Sequence, residues 1–262
     1  MEPSQSPDRT FSLAGESESA RPLEALLAKY PWVAPSVLST RSSLSSKDLR
    51  RLELGDISLC TLRLPSEEEP MCAIREGSNN SFFFWYKDLS SRLGIQFPFT
   101  EFQIDVLTYL QLAPLQLHPN AWGFILAFER FCKLLPKAIP CKRSIFFYFF
   151  CLFTPPAVKD DDSLKGLTSL RGVTGRKLFQ AYFDSFKRFK TNFFKVVAVF
   201  RKQPWFLLGL ESKDVEWRFP LYWTFNHHGK ESTTYQVNGD DLTNKEVVLV
   251  SYLATYIKEI GV

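Results

Sequence analysis

Apolar residues recur every three or four positions in several stretches of this chain, and capping or breaking residues bracket most of these stretches. After Pro22 the run LEALLAKY predicts a short helix that Pro31 stops. Ser45 and Asp48 have capping-box spacing and open a second helix that Gly55 closes. The stretch 57–74, interrupted by PSEEEP, reads as two extended segments around an acidic loop. Asn80 caps a predicted helix over SFFFWYKDLSSRL, closed by Gly94. Thr100 and Gln103 form another capping box, and the helix they open puts Phe102, Val106 and Tyr109 on one face. The longest central helix starts at Pro119 and ends before Pro136. Phe124, Phe128, Phe131 and Leu135 line one side of it, with Glu129, Arg130 and Lys133 on the other. The connection between these last two helices is short and holds Pro114, so they predict a compact helical hairpin or corner.

Beyond the aromatic segment 145–153, the stretch TPPAVKDDDSLKG reads as an exposed loop open to proteolysis. Residues 164–173 alternate weakly and suggest a strand pair, and a second long helix follows from about Gly175. The runs 193–200 and 215–225 are β-branched and aromatic, as strands are. Thr243 and Glu246 box the last helix, which Gly261 stops. The expected fold is α+β and predominantly helical, a compact helical core with a few short strands, mainly C-terminal. Its expected sections are a disordered tail over 1–20, an N-terminal helical section over 21–80, a central domain over 81–200, and C-terminal strands with a closing helix over 201–262.

Composition changes this picture in one respect. With 45% hydrophobic residues the chain can bury a sizeable core, and 25 Phe against 2 Met says that rings build it. Charge is unevenly spread. Residues 1–80 hold 9 Lys/Arg against 12 Asp/Glu, whereas 128–205 hold 16 against 5, so the middle of the chain is basic. Within it, RKLFQAYFDSFKRFKTNFFK interleaves cations with rings, as a single-strand binder would. On a helical wheel, however, Phe179, Tyr182, Phe183, Phe186, Phe189 and Phe193 share one side, while Lys177, Lys187, Arg188 and Lys195 share the other. Rings on a buried face cannot stack on bases. The plain reading is a core face backed by a solvated basic face. The functional reading is phosphate contact through Lys177, Lys187, Arg188 and Lys195, joined by Lys142 and Arg143.

Candidate chemistry is thin. Cys60, Cys72, Cys132, Cys141 and Cys151 form no close CxxC pair and fit a reducing, intracellular compartment, nuclear or cytoplasmic. The longest apolar run is far shorter than the ~20 residues a membrane helix requires, so a soluble protein without a membrane partner is expected. His118 stands before a Pro at a helix start, where its ring suits capping or stacking on Trp122. His227-His228 lies in a polar turn, and Asp240-Asp241 precedes a helix cap, where the helix dipole explains acids. The glycines of RGVTGRKL lack phosphate-loop spacing. No catalytic residue, metal site or cofactor is expected.

The segment 93–132, followed by IFFYFFCLF, resembles the plant family of gypsy-type transposon proteins, also labelled transposase-like. The residues that carry the resemblance are Phe97-Pro98-Phe99, Glu101-Phe102, Leu112-Ala113-Pro114, Gln116-Leu117-His118-Pro119-Asn120 and Trp122, then Lys187-Arg188-Phe189-Lys190 with Phe193-Phe194. Leu115 stands where the family pattern has Ser, and Gly123 inside the helix is a second departure. The resemblance implies a transposable-element protein. It carries no catalytic residue across, no carboxylate triad of a transposase is evident, and the end at Val262 reads as that of a shortened or domesticated copy. The expected role is non-catalytic, structural or interacting, with Gag-like assembly with itself or with other element-encoded proteins. The alternative is a nucleic-acid-binding module using a basic helix face.

Overall fold

The computed structural model describes residues 20–55, 58, 60–67, 69–72, 82–135, 139–153, 165–179, 186, 188–198, 219–225 and 232–260. Eight α-helices are described: α1 (Ala20–Lys29), α2 (Pro35–Leu38), α3 (Ser46–Leu49), α4 (Lys87–Ser91), α5 (Glu101–Leu110), α6 (Pro119–Leu134), α7 (Arg143–Phe149) and α8 (Asn244–Ile260). Five strands accompany them: β1 (Cys60–Arg63), β2 (Phe82–Tyr86), β3 (Phe150–Phe153), β4 (Ser169–Gly172) and β5 (Phe193–Ala198). They form a three-stranded antiparallel sheet in the order β1-β5-β2 and an antiparallel β3-β4 pair.

The fold is α+β, but the strands are not mainly C-terminal. They run from Cys60 to Ala198 in two small sheets, and among the described residues no strand follows. Of the stretch 215–225, the described part, 219–225, is irregular. The segment SFFFWYKDLSSRL, predicted as one helix, divides into β2 and α4. The reason is physical. Every residue of β2 is buried, because rings cover both faces of the strand, and a continuous apolar run carries no periodicity to separate strand from helix. On one face Phe83 and Trp85 meet Phe97, Phe99 and Trp122, with ring centroids 5.0–5.8 Å apart. On the other, Phe84 meets Phe193 at 5.3 Å and Tyr86 meets Phe189 at 5.0 Å. Edge-to-face geometry predominates in these contacts, as ring quadrupoles prefer.

The helix expected from Gly175 is not formed over 176–179, and most of its remainder, including Lys187, lies outside the described residues. So do residues 1–19, Asp160 to Asp162, His227-His228 and Gly261. The expected strand at 193–200 is β5, the centre of the larger sheet. The segment 145–153 is half helix and half strand, α7 running directly into β3. The capping boxes at Ser45/Asp48, Thr100/Gln103 and Thr243/Glu246 are all present, although α3 stops at Leu49, well short of Gly55. No helix among the described residues is long and apolar enough to cross a membrane.

Candidate functional site

The junction between α5 and α6, residues 112–122, has the most distinctive sequence in the chain, and its polar groups converge on the chain's own backbone. Helix α5 ends at Gln111, a non-glycine in the left-handed region (φ 52°), whose N–H still reaches the last turn. A single 3₁₀ turn over Pro114–Gln116 follows. Gln116 is fully buried. Its Oε1 accepts from the N–H of Ala113 (3.1 Å) and of Thr224 (2.9 Å), while its Nε2 donates to the Thr224 carbonyl (2.9 Å). The side chain thus occupies both backbone groups of a residue 108 positions away, as a neighbouring strand would. The Thr224 hydroxyl in turn donates to the Gln111 carbonyl.

The backbone of the junction holds a third segment. Thr168 N–H donates to the Gln116 carbonyl and His118 N–H donates to the Thr168 carbonyl, both at 2.8 Å. His118 then caps α6, its Nδ1 accepting from Asn120 N–H at 3.1 Å. Its ring lies edge-on to Phe189, 4.9 Å away, not on Trp122. Burial, reinforced by the nearby Lys190 charge, pushes the imidazole pKa down to about 4, so the ring is neutral and can accept this bond. The Trp122 indole donates to the Pro114 carbonyl at 3.1 Å. The side chains of Gln116, His118 and Trp122 in Gln-Leu-His-Pro-Asn-x-Trp therefore tie chain to chain, whereas the buried Asn120 Oδ1 has no hydrogen-bond partner among the described residues, and Pro119 supplies the first turn of α6.

A buried carboxylate lies further along α6. Glu129, expected on the solvent side, is 4% exposed; it accepts from Gln103 Nε2 at 3.0 Å and pairs with Lys133 at 3.2 Å. Phe102 and Phe128 touch beside it, so α5 and α6 meet at this ring pair and at the Gln103–Glu129 bond. The Gln103–Glu129 pairing spans 26 residues and leaves no local pattern to read. Asp240 and Asp241 are exposed in a 3₁₀ turn, with Asp241 accepting from Asn238 N–H at 2.9 Å. Among the described residues no three His, Cys, Asp or Glu side chains gather as a metal site.

The basic candidates are dispersed. Lys142 pairs with Glu246 at 3.4 Å. Arg143 pairs with Asp105 at 3.2 Å and covers the Tyr109 ring at 4.4 Å. Lys195 sits in the central strand β5, paired with Glu69 and 4.8 Å above the Phe82 ring. Lys177 and Arg188 are exposed, one beside Gly172 and the other in a left-handed turn. The shared helix face expected of these residues is replaced by a strand at Lys195 and irregular backbone at Lys177.

No curated protein and no solved structure matches the chain significantly. Residues 90–154, which run from α4 through the junction and α7 to the end of β3, match the family model Transposase_28, described as Putative gypsy type transposon. Through that segment, with the internally bonded junction at its centre, the chain is similar to the gypsy-type transposon family.

Proposed function

We propose that this protein is a non-catalytic component of a transposable element that works by assembling with further copies of itself through α8. The observation that carries this reading is the outer side of that helix. Val247, Val248 and Tyr252 are 42%, 67% and 37% exposed, while Glu246, Val250 and Leu253 of the same helix are buried. Solvent-facing helix positions ordinarily carry charge, and an apolar ridge in their place suits a two-fold pairing in which each copy covers the other.

Burying a Val-sized side chain stabilises by ~1.5–3 kcal/mol. Because the three are only 42%, 67% and 37% exposed, they amount to about one and a half such side chains per copy and ~4–9 kcal/mol over both copies. That does no more than offset the ~4–15 kcal/mol cost of association, so the pairing is reversible and weak, of roughly millimolar strength or somewhat tighter. Sedimentation equilibrium on the full chain from about 10 µM to 1 mM covers that range. The expected result is a concentration-dependent shift to dimer that V248D/Y252D abolishes without changing the circular dichroism spectrum. A monomer at every concentration overturns the reading.

The competing reading, nucleic-acid binding through Lys142, Arg143, Lys177, Lys187, Arg188 and Lys195, draws its support from the exposed Lys177 and Arg188. Three of the others already hold carboxylate partners.

A further inference from the structure

A cavity of about 320 Å³ opens on the surface between the turn that follows α4 and the outer face of α6. Its walls are carbon: Leu93 from the turn, Phe124 and Leu126 from α6, and Phe179 from the segment after β4. Gly123 and Ala127, one helical turn apart on α6, put almost no side chain into the space between them. Two guanidinium groups, Arg92 and Arg130, complete the lining. From this combination we infer that the cleft binds a small amphipathic anion, an apolar body of ring or short-chain size bearing one carboxylate, phosphate or sulfonate head.

The volume lies at the lower end of the ~300–1,000 Å³ typical of small-molecule sites, and apolar walls with few polar groups are the usual lining. Arg130 is the anchor. Its side chain is exposed and lies against the Gly94 turn, where Nη2 comes within 3.7 Å of the position a Cβ would take. Among the described residues no carboxylate forms an ion pair with it. A guanidinium offers paired N–H donors that match the two oxygens of such a head group, a geometry that lysine lacks. Arg92 lies over the Phe186 ring at 4.3 Å and adds a second positive charge to the lining. Asp88 shares that charge. Burial raises its carboxyl pKa, and the neighbouring Arg92 and Lys87 oppose the rise, so Arg92 supplements the anchor without replacing it. Apolar contact with anionic headgroup recognition is what distinguishes this ligand class from inorganic phosphate, which needs no carbon walls, and from a neutral hydrophobe, which needs no arginine.

Anilinonaphthalene sulfonate and its uncharged analogue phenylnaphthylamine separate these possibilities by fluorescence titration of the full chain, kept dilute enough to be monomeric. The sulfonate is expected to bind one site more tightly than the neutral probe. R130Q should weaken the sulfonate about tenfold, the loss of one charge-assisted contact, and move the neutral probe less than about twofold. A127W, at an exposed position, should fill the cavity and remove both. The inference is overturned by equal affinities for the two probes, by R130Q or A127W leaving sulfonate binding intact, or by loss of the signal in V248D/Y252D, which would put the probe on α8. Since R130Q and A127W are independent surface changes, misfolding of one leaves the other to decide.

Discussion

Replacing Gln116 with Met keeps nearly the same volume in a fully buried place and deletes every hydrogen bond its amide makes. Three backbone groups then lose partners: the N–H of Ala113 and both the N–H and carbonyl of Thr224. An unsatisfied buried group costs ~1–3 kcal/mol, and Met regains part of that by sparing an amide its desolvation, so the net loss should be ~3–5 kcal/mol. A domain with ~5–15 kcal/mol of total stability feels this strongly. The cheapest relief is release of 219–225, which would bring the buried Phe219 and Trp223 into water. Urea denaturation followed by tryptophan fluorescence should therefore show a lower midpoint together with a smaller slope, because the folded variant already exposes that segment. A loss below ~1 kcal/mol with an unchanged slope would refute the assignment of Gln116 as the clamp on Thr224.

His118 gives a pH signature. Its pKa is about 4 in the folded chain against an ordinary value of 6.5, so between these pH values the unfolded chain binds a proton that the folded one excludes. Stability should fall as pH drops from about 6.5 to 4, by ~2 kcal/mol after allowance for partial exposure, and H118N, which keeps a cap without a titrating ring, should lack that portion of the dependence. Glu129→Ala strands the Gln103 amide and should cost ~2–3 kcal/mol in thermal or chemical denaturation, whereas E129Q, able to keep one hydrogen bond, should cost less than half as much. Gln111→Gly relaxes a left-handed residue and should stabilise by up to ~1 kcal/mol, offset in part by the bond from its side chain to Thr108; a loss of stability would show that the side chain matters more than the backbone angle.

Much of the helical framework can be read locally. Ser45/Asp48, Thr100/Gln103 and Thr243/Glu246 are legible because both partners of each box lie three residues apart, and the start of α6 is legible because Pro119 fits a first turn. The strand placement is not. Phe82 to Tyr86 bury all five side chains between two layers of rings, and nothing in such a run chooses a period. A wheel through Phe179 and Phe193 requires one helix, but Phe193 begins β5, and Lys195 in that strand has a partner as distant as Glu69. The rings at Phe186, Phe189 and Phe193 are buried as the pattern requires. The junction motif stands out in the sequence, yet its purpose depends on Thr168 and Thr224, residues that carry no mark of their own.

The central physical claim is that the Leu112 to Trp122 junction ties together two remote parts of the chain, around Thr168 and Thr224, and amide hydrogen exchange measured by NMR on the unaltered protein tests it most directly. The N–H groups of Thr168, Asn120 and Thr224, which donate into the junction at 2.8, 3.1 and 2.9 Å, should exchange as slowly as those of the β2–β5 ladder. Exchange of Thr168 and Thr224 at the rate of unstructured peptide would contradict the account, leaving the junction as a surface loop and returning its histidine and glutamine to consideration as ligands.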